Sequence, residues 1–198
     1  MEQVTLLRKP DYSVGATDNS PFRFEGRANS CDNPVKFDYI VEKNSAKVVV
    51  YPSGSPVKFL KLRFNGDFSA VDKVLGDTWE RSGQNTYIEW RSRMNCRILP
   101  WYLYAKEGDT TFCYGVKTGA DAFCFWGLDS DGVTLFINLT CGEGGADLKE
   151  PIVACEVVEY FGAAGEDSYA VAAKFAKMMC DNPVLPKTPV FGVNNWYW

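Results

Sequence analysis

Gly76-Asp77-Thr78-Trp79-Glu80-Arg81 puts two carboxylates, an indole and a guanidinium on one short stretch. That combination suits a sugar. Carboxylates and arginine grip hydroxyls through directed hydrogen bonds, and an indole packs against the apolar face of a pyranose. The ordinary reading of the same residues is a solvated turn in which a carboxylate pairs with Arg81 for little energy. Asp77 and Glu80 do not read as a hydrolytic pair. Retaining hydrolysis needs two carboxyls about 5–5.5 Å apart and inverting hydrolysis about 6.5–9.5 Å, flanking the scissile bond. Neighbours on one loop rarely face each other in that way.

Other chemistry is thin. The sequence has no histidine, so it offers no imidazole base, no Ser-His or Cys-His couple and no imidazole metal ligand. This excludes a stand-alone mutarotase-like enzyme with a histidine acid. The seven cysteines (Cys31, Cys96, Cys113, Cys124, Cys141, Cys155 and Cys180) show no C-x-x-C pair and no zinc-like spacing. Most sit in apolar runs such as Ala122 to Trp126, where a free thiol acts as a small apolar side chain. Asp129-Ser130-Asp131-Gly132 opens like a calcium loop but lacks the third acidic position and the distant glutamate, which leaves a hairpin turn. Gly142-Glu143-Gly144-Gly145 precedes no helix and cannot cradle a phosphate. Asn138-Leu139-Thr140 matches a glycosylation sequon that falls inside a strand pattern. No cofactor and no metal are expected. The aromatic run Trp101-Tyr102-Leu103-Tyr104 reads as core, with a carbohydrate platform as its functional alternative.

The elements that must position these residues are mostly strands. Val35, Phe37, Tyr39 and Val41 share one face, and Leu60, Leu62 and Phe64 alternate with Lys61, Arg63 and Asn65. Ile88 and Trp90 alternate with Glu89 and Arg91. Period-two alternation of this kind marks half-buried antiparallel strands. Further strands are predicted over 47–51, 97–104, 111–117, 122–126, 133–139 and 152–161, separated by turn signals at Asn65-Gly66-Asp67 and Asp131-Gly132. The pattern predicts two large stacked antiparallel sheets. One helix is expected over 169–179, capped by Asp167 or Ser168. Its docking face is Val171, Phe175 and Met178 or Met179, and it stops at Asn182-Pro183.

The 198 residues carry 46% apolar and 23% charged side chains and a net charge of −4. With no basic stripe, nucleic acid and anionic membrane are not expected as partners. No apolar run is long enough to span a bilayer. The first ten residues lack the apolar centre of a signal peptide. The expected compartment is cytoplasmic if Met1 is native, and periplasmic or secreted if a signal was trimmed.

Residues 182–189 hold three prolines, at Pro183, Pro186 and Pro189, and read as a semi-rigid linker. Beyond it, Phe191-Gly192-Val193-Asn194-Asn195-Trp196-Tyr197-Trp198 looks like a buried strand beginning, not a domain ending. The expected division is a β domain over 1–181, a linker over 182–189 and the first strand of a further domain over 190–198.

That last stretch resembles the G-W-N-S-W-Y type first barrel strand of α-galactosidase-like glycoside hydrolases, the melibiases and relatives of family 36. Leu75-Gly76-Asp77-Thr78-Trp79-Glu80-Arg81, with Glu89-Trp90 after it, is similar to the L-G-D-x-W-E-R…L-E-W signature of their N-terminal domain. Tyr114-Gly115-Val116-Lys117-Thr118-Gly119 and Asp131-Gly132-Val133-Thr134-Leu135 look like its later strands. The likeness covers patches of residues 70–198. It departs at Val193, where tryptophan is common, and at Ser82 to Ile88, which replaces a shorter Y-G-D-L run.

The resemblance implies a galactose-mutarotase-like β-supersandwich packed on a (β/α)8 barrel that hydrolyses α-galactosides with retention, using two aspartates beyond Trp198. The present residues would be non-catalytic. Asp77, Trp79, Glu80 and Arg81 would help form the rim of the barrel mouth, in some relatives a neighbouring subunit's. Asn195 and Trp196 would sit near the C-terminal end of the first barrel strand. The implied partner is an α-galactoside or related oligosaccharide, bound together with the barrel, and the arrangement leaves room for a homo-oligomer. The residues alone leave a second class open: a free carbohydrate-binding or purely structural sandwich module.

Overall fold

The computed structural model describes residues 4–17, 33–77, 91, 92, 99–140, 142 and 144–192. Among them are twelve strands and one helix. The strands are β1 (Tyr12–Thr17), β2 (Phe37–Val41), β3 (Ala46–Val50), β4 (Val57–Asn65), β5 (Lys73–Gly76) and β6 (Arg91–Ser92). They continue with β7 (Leu99–Pro100), β8 (Tyr102–Glu107), β9 (Thr110–Val116), β10 (Phe123–Asp129), β11 (Gly132–Asn138) and β12 (Ile152–Phe161). The helix α1 (Ser168–Met178) follows.

Two antiparallel sheets form a sandwich, as the alternation predicts. One has five strands in the order β1-β4-β11-β10-β7, the other seven in the order β2-β3-β12-β9-β8-β5-β6. Inward residues of both sheets merge into one core. Leu60, Leu62 and Phe64 from β4 and Leu135 and Ile137 from β11 meet Val48, Tyr114 and Val157 of the other sheet, with Trp126 at 0% exposure among them. This apolar interior is what drives two patterned sheets together.

Three features depart from the sequence expectation. The strand expected over 97–104 is broken at Trp101, which separates β7 in one sheet from β8 in the other. β1 and β5 carry no strong alternation and are found only in the structure. Lys61 and Arg63, expected on a solvated face, are 5% and 7% exposed. Arg63 is held there by a two-pronged bond, its Nη1 and Nη2 donating to Asp129 at 2.7 and 2.6 Å and its Nη1 also to Thr134 at 3.0 Å. On the same outer face, Phe125 and Phe136 stack with ring centroids 4.8 Å apart. β4 and β11 are therefore buried on both faces.

Residues 4–9 form a strap that ties into the sandwich. The Glu159 carboxylate of β12 accepts from Thr5 Oγ1 and from the Leu6 N–H at 2.6 Å. Tyr39 Oη donates to the Leu6 carbonyl at 2.8 Å and Tyr114 Oη to the Val4 carbonyl. Leu6 itself has no exposed surface. Burial pushes the Glu159 carboxyl above its usual range, against the opposing pull of the bonds from Thr5, Leu6 and Leu7.

The helix starts as its sequence asks. Asp167 accepts from the Ala170 N–H at 3.0 Å and so satisfies one of the orphan donors of the first turn. Val171 and Phe175, one turn apart, are buried against Cys113, Val158, Tyr104 and Tyr160 on the outer face of the seven-stranded sheet. Gly115 makes this seat: a Cβ there would stand 2.8 Å from the Phe175 ring. After the helix, residues 182–192 have no helix or strand and are exposed, Val184 at 98% and Phe191 at 91%.

Candidate functional site

Asp77 leaves the end of β5, where Gly76 pairs with Leu103 of β8. The fit there is close. A Cβ on Gly76 would lie 2.7 Å from Leu99 Cδ2 and 3.1 Å from the Tyr102 carbonyl, so only glycine lets β5 run this near the crossing chain. Asp77 is half-exposed. Trp79, Glu80 and Arg81 lie outside the described residues, as do Asn195 and Trp196, so the structure places Asp77 alone of the six sequence-predicted site residues.

The crossing chain is the unusual element. Trp101 has φ +63°, the left-handed region that bulky residues avoid. Its N–H donates to Cys124 of the five-stranded sheet at 3.0 Å, and its carbonyl accepts from Val116 of the seven-stranded sheet at 3.0 Å. The same carbonyl takes the Trp126 indole N–H at 3.1 Å, and the Trp101 ring packs on Phe123 at 5.1 Å. One residue thus stitches both sheets beside Asp77. Replacing Trp101 with glycine is expected to leave the protein about 1 kcal/mol more stable than replacing it with alanine. Both lose the ring, but only alanine keeps the left-handed strain. Urea unfolding of the two variants compares them, and an alanine variant as stable as the glycine one would contradict the strain.

Past this corner, Tyr102 and Tyr104 lie 5.3 Å apart, and Tyr104 meets Phe175 edge-on at 5.8 Å. Burial, with Cys113 and Tyr102 nearby, pushes the Tyr104 phenol up to about 12. In the run read as core, Leu103 is buried in the main core and Trp101 packs partly buried against it, while Tyr102 and Tyr104 form the layer beneath α1.

The C-terminal end of α1 comes to the same end of the sheet. The Thr118 N–H donates to the Met179 carbonyl at 2.8 Å. Lys117 Nζ sits 3.0 Å from both Glu156 and Asp181. Hydrogen bonds to Asp181 and Glu156 raise the Lys117 amine above its usual range. Burial pushes the Glu156 carboxyl up, but bonds from Ser45 and Lys117 outweigh it and hold the group low. No sequence pattern announces this anchor, because Lys117, Glu156 and Asp181 are brought together only by the β9–β12 pairing and the docking of α1.

The remaining motifs have structural roles. Asp129 to Gly132 closes the β10–β11 hairpin, with Asp129 accepting the Asp131 N–H at 2.9 Å while holding Arg63. The sequon is not inside its strand: β11 ends at Asn138, whose Oδ1 accepts both the N–H and the hydroxyl of Thr140 at 2.9 and 2.6 Å. Cys113, Cys124 and Cys155 are buried free thiols and Cys180 is half-buried, while Cys31, Cys96 and Cys141 lie outside the described residues. Among the described residues no group of three or more cysteines and carboxylates could hold a metal ion. No helix among them is long and apolar enough to cross a membrane.

No family model, curated protein or solved structure matches the chain.

Proposed function

We propose that this chain is a non-catalytic β-sandwich domain of an α-galactosidase-like retaining glycoside hydrolase, packing on a catalytic barrel and lending the Asp77–Arg81 segment to the rim of its active site. One observation carries the reading. The chain departs from β5 at Asp77 and from α1 at Asp181 at one end of the seven-stranded sheet, with β8 and β9 adjoining between them. On this reading the barrel sits against that end of the sheet, on the side from which the chain leaves β5 at Asp77. The sugar-suited residue types of that segment and the exposed proline-rich stretch over 182–192 support the same arrangement.

The chain by itself is expected to show no turnover of an aryl α-galactoside and to bind galactose or raffinose no tighter than millimolar. The absence of histidine and the unsuitable spacing of Asp77 and Glu80 give the first expectation. A rim that supplies one wall of a pocket gives the second. Hydrolysis assays and calorimetric titration measure both. Turnover by the chain alone overturns the reading. Micromolar binding lost on Trp79→Ala overturns it in favour of a free carbohydrate-binding module.

A further inference from the structure

We propose that the chain pairs with a second copy of itself through the free edge of β2, making one continuous sheet across a two-fold axis. β2 ends the seven-stranded sheet, with β3 as its only strand neighbour among the described residues. Tyr51 donates its N–H to the Lys36 carbonyl at 3.0 Å and Glu42 donates its N–H to the Ser45 carbonyl at 2.8 Å. The main chain of these even-numbered positions therefore faces β3. By the two-residue period, the N–H and C=O groups of Phe37, Tyr39 and Val41 point outward.

Protected edges carry a proline, a bulge or an inward charge. β2 has none of these, and its register with β3 is unbroken. Instead it shows Ile40 and Val41 at 44% and 43% exposure, high for apolar side chains in a strand. Among the described residues an open groove of about 370 Å³ runs between the chain over residues 9–13 and β2, along Phe37, Asp38 and Tyr39.

An antiparallel copy of β2 centred on Tyr39 sets Phe37 against Val41 and, at its flanks, Lys36 against Glu42, each twice, with Asp38 opposite Ile40 on the outer face. In this register every outward N–H and C=O finds a partner. The exposed Val41 is covered by Phe37 of the other copy, and two opposite-charge pairs form on the outer face. A shift by two residues in either direction loses the Lys36–Glu42 match and leaves outward groups unpaired. Lys36 is exposed, and the Glu42 carboxylate, bound to Lys47 at 2.7 Å, is still 43% exposed and can accept a second amine. The contact is isologous, so it closes at two copies and does not propagate.

Sedimentation equilibrium of the full chain is the test. A single strand pair with a small apolar contact is expected to give a dimer with a dissociation constant of about 1–100 µM. Val41→Pro removes an outward N–H while leaving the bonds to β3 intact, and is expected to yield monomer. Lys36→Glu is expected to weaken the dimer at least about tenfold, and adding Glu42→Lys to restore it. Monomer at every concentration up to about 0.5 mM, well above the expected constant, overturns the proposal without any variant. So does a dimer indifferent to Val41→Pro, or a charge reversal that its counterpart fails to rescue.

Discussion

Truncating Phe175 to alanine is expected to lower the unfolding free energy by about 3–5 kcal/mol, the range for emptying a fully buried aromatic site. The ring has no exposed surface, fills the seat above Gly115 and meets Tyr104 edge-on. Backbone cannot collapse into the space, because the seat is the flat face of a sheet. The apolar contacts of α1 belong to a small cluster separate from the main core. Loss should therefore fall on the helix first, with its amides exchanging while β4, β11 and β12 stay protected. A second readout follows from the phenol of Tyr104, held up to about 12 mainly by burial. Uncovered, it should titrate nearer its ordinary value, which ultraviolet difference spectra record. A loss under about 1 kcal/mol with Tyr104 unchanged would show that α1 is held by something other than this ring.

The second large effect is expected at Glu159. Alanine there should cost about 1–3 kcal/mol, because the part-buried Leu6 N–H loses its acceptor, while the exposed Thr5 hydroxyl can turn to water. Glutamine should cost less than about 1 kcal/mol, since its oxygen can take the Leu6 N–H and its amide can donate to Thr5 Oγ1. The pH dependence has a definite sign. A carboxyl whose folded pKa lies above its unfolded value binds its proton more tightly in the fold. Its stabilising share is full below the unfolded value near 4.5 and is lost as pH rises through the folded value. Glutamine at 159 should remove that decline. Unfolding curves from pH 4 to 8 on the three proteins separate the effects, and equal costs for alanine and glutamine would show that the strap does not depend on these bonds.

Much of the sandwich was readable because one physical rule governs it. Strands such as β2, β4 and β11 pack one face on the core, so their apolar residues must recur every second position. β1 escaped because its inner face breaks that rule. Residues 33–35 fold over it, and a Cβ on Gly15 would stand 2.3 Å from Asn33 Oδ1. A glycine therefore occupies the place where alternation would call for an apolar side chain. The burial of Arg63 was hidden for another reason, since its partner Asp129 is 66 residues away and becomes a neighbour only through the β4–β11–β10 order. The break at Trp101 depends on the dihedral angle of one bulky residue, and a tryptophan in the left-handed region has no sequence signature. For the candidate site, residue chemistry singled out Asp77 through Arg81. The fold added what a motif cannot hold, the shared end of the seven-stranded sheet at which β5 gives way to Asp77 and α1 ends beside Thr118.

The place of β12 in its sheet bears on how a ribosome must deliver this protein. It is the last strand among the described residues, yet it lies between β3 and β9. Until it emerges, the seven-stranded sheet exists as a β2–β3 hairpin and a separate β9-β8-β5-β6 piece, each with a raw edge facing the gap. The strap also waits, because residues 4–7 are fastened by Glu159, more than 150 positions later. A nascent chain shorter than about 161 residues can complete the five-stranded sheet, whose last strand ends at Asn138, but not the seven-stranded layer it packs on, which holds two strand edges open until β12 is made. Release from the exit tunnel, more than the speed of any local element, sets the moment at which this domain becomes a domain.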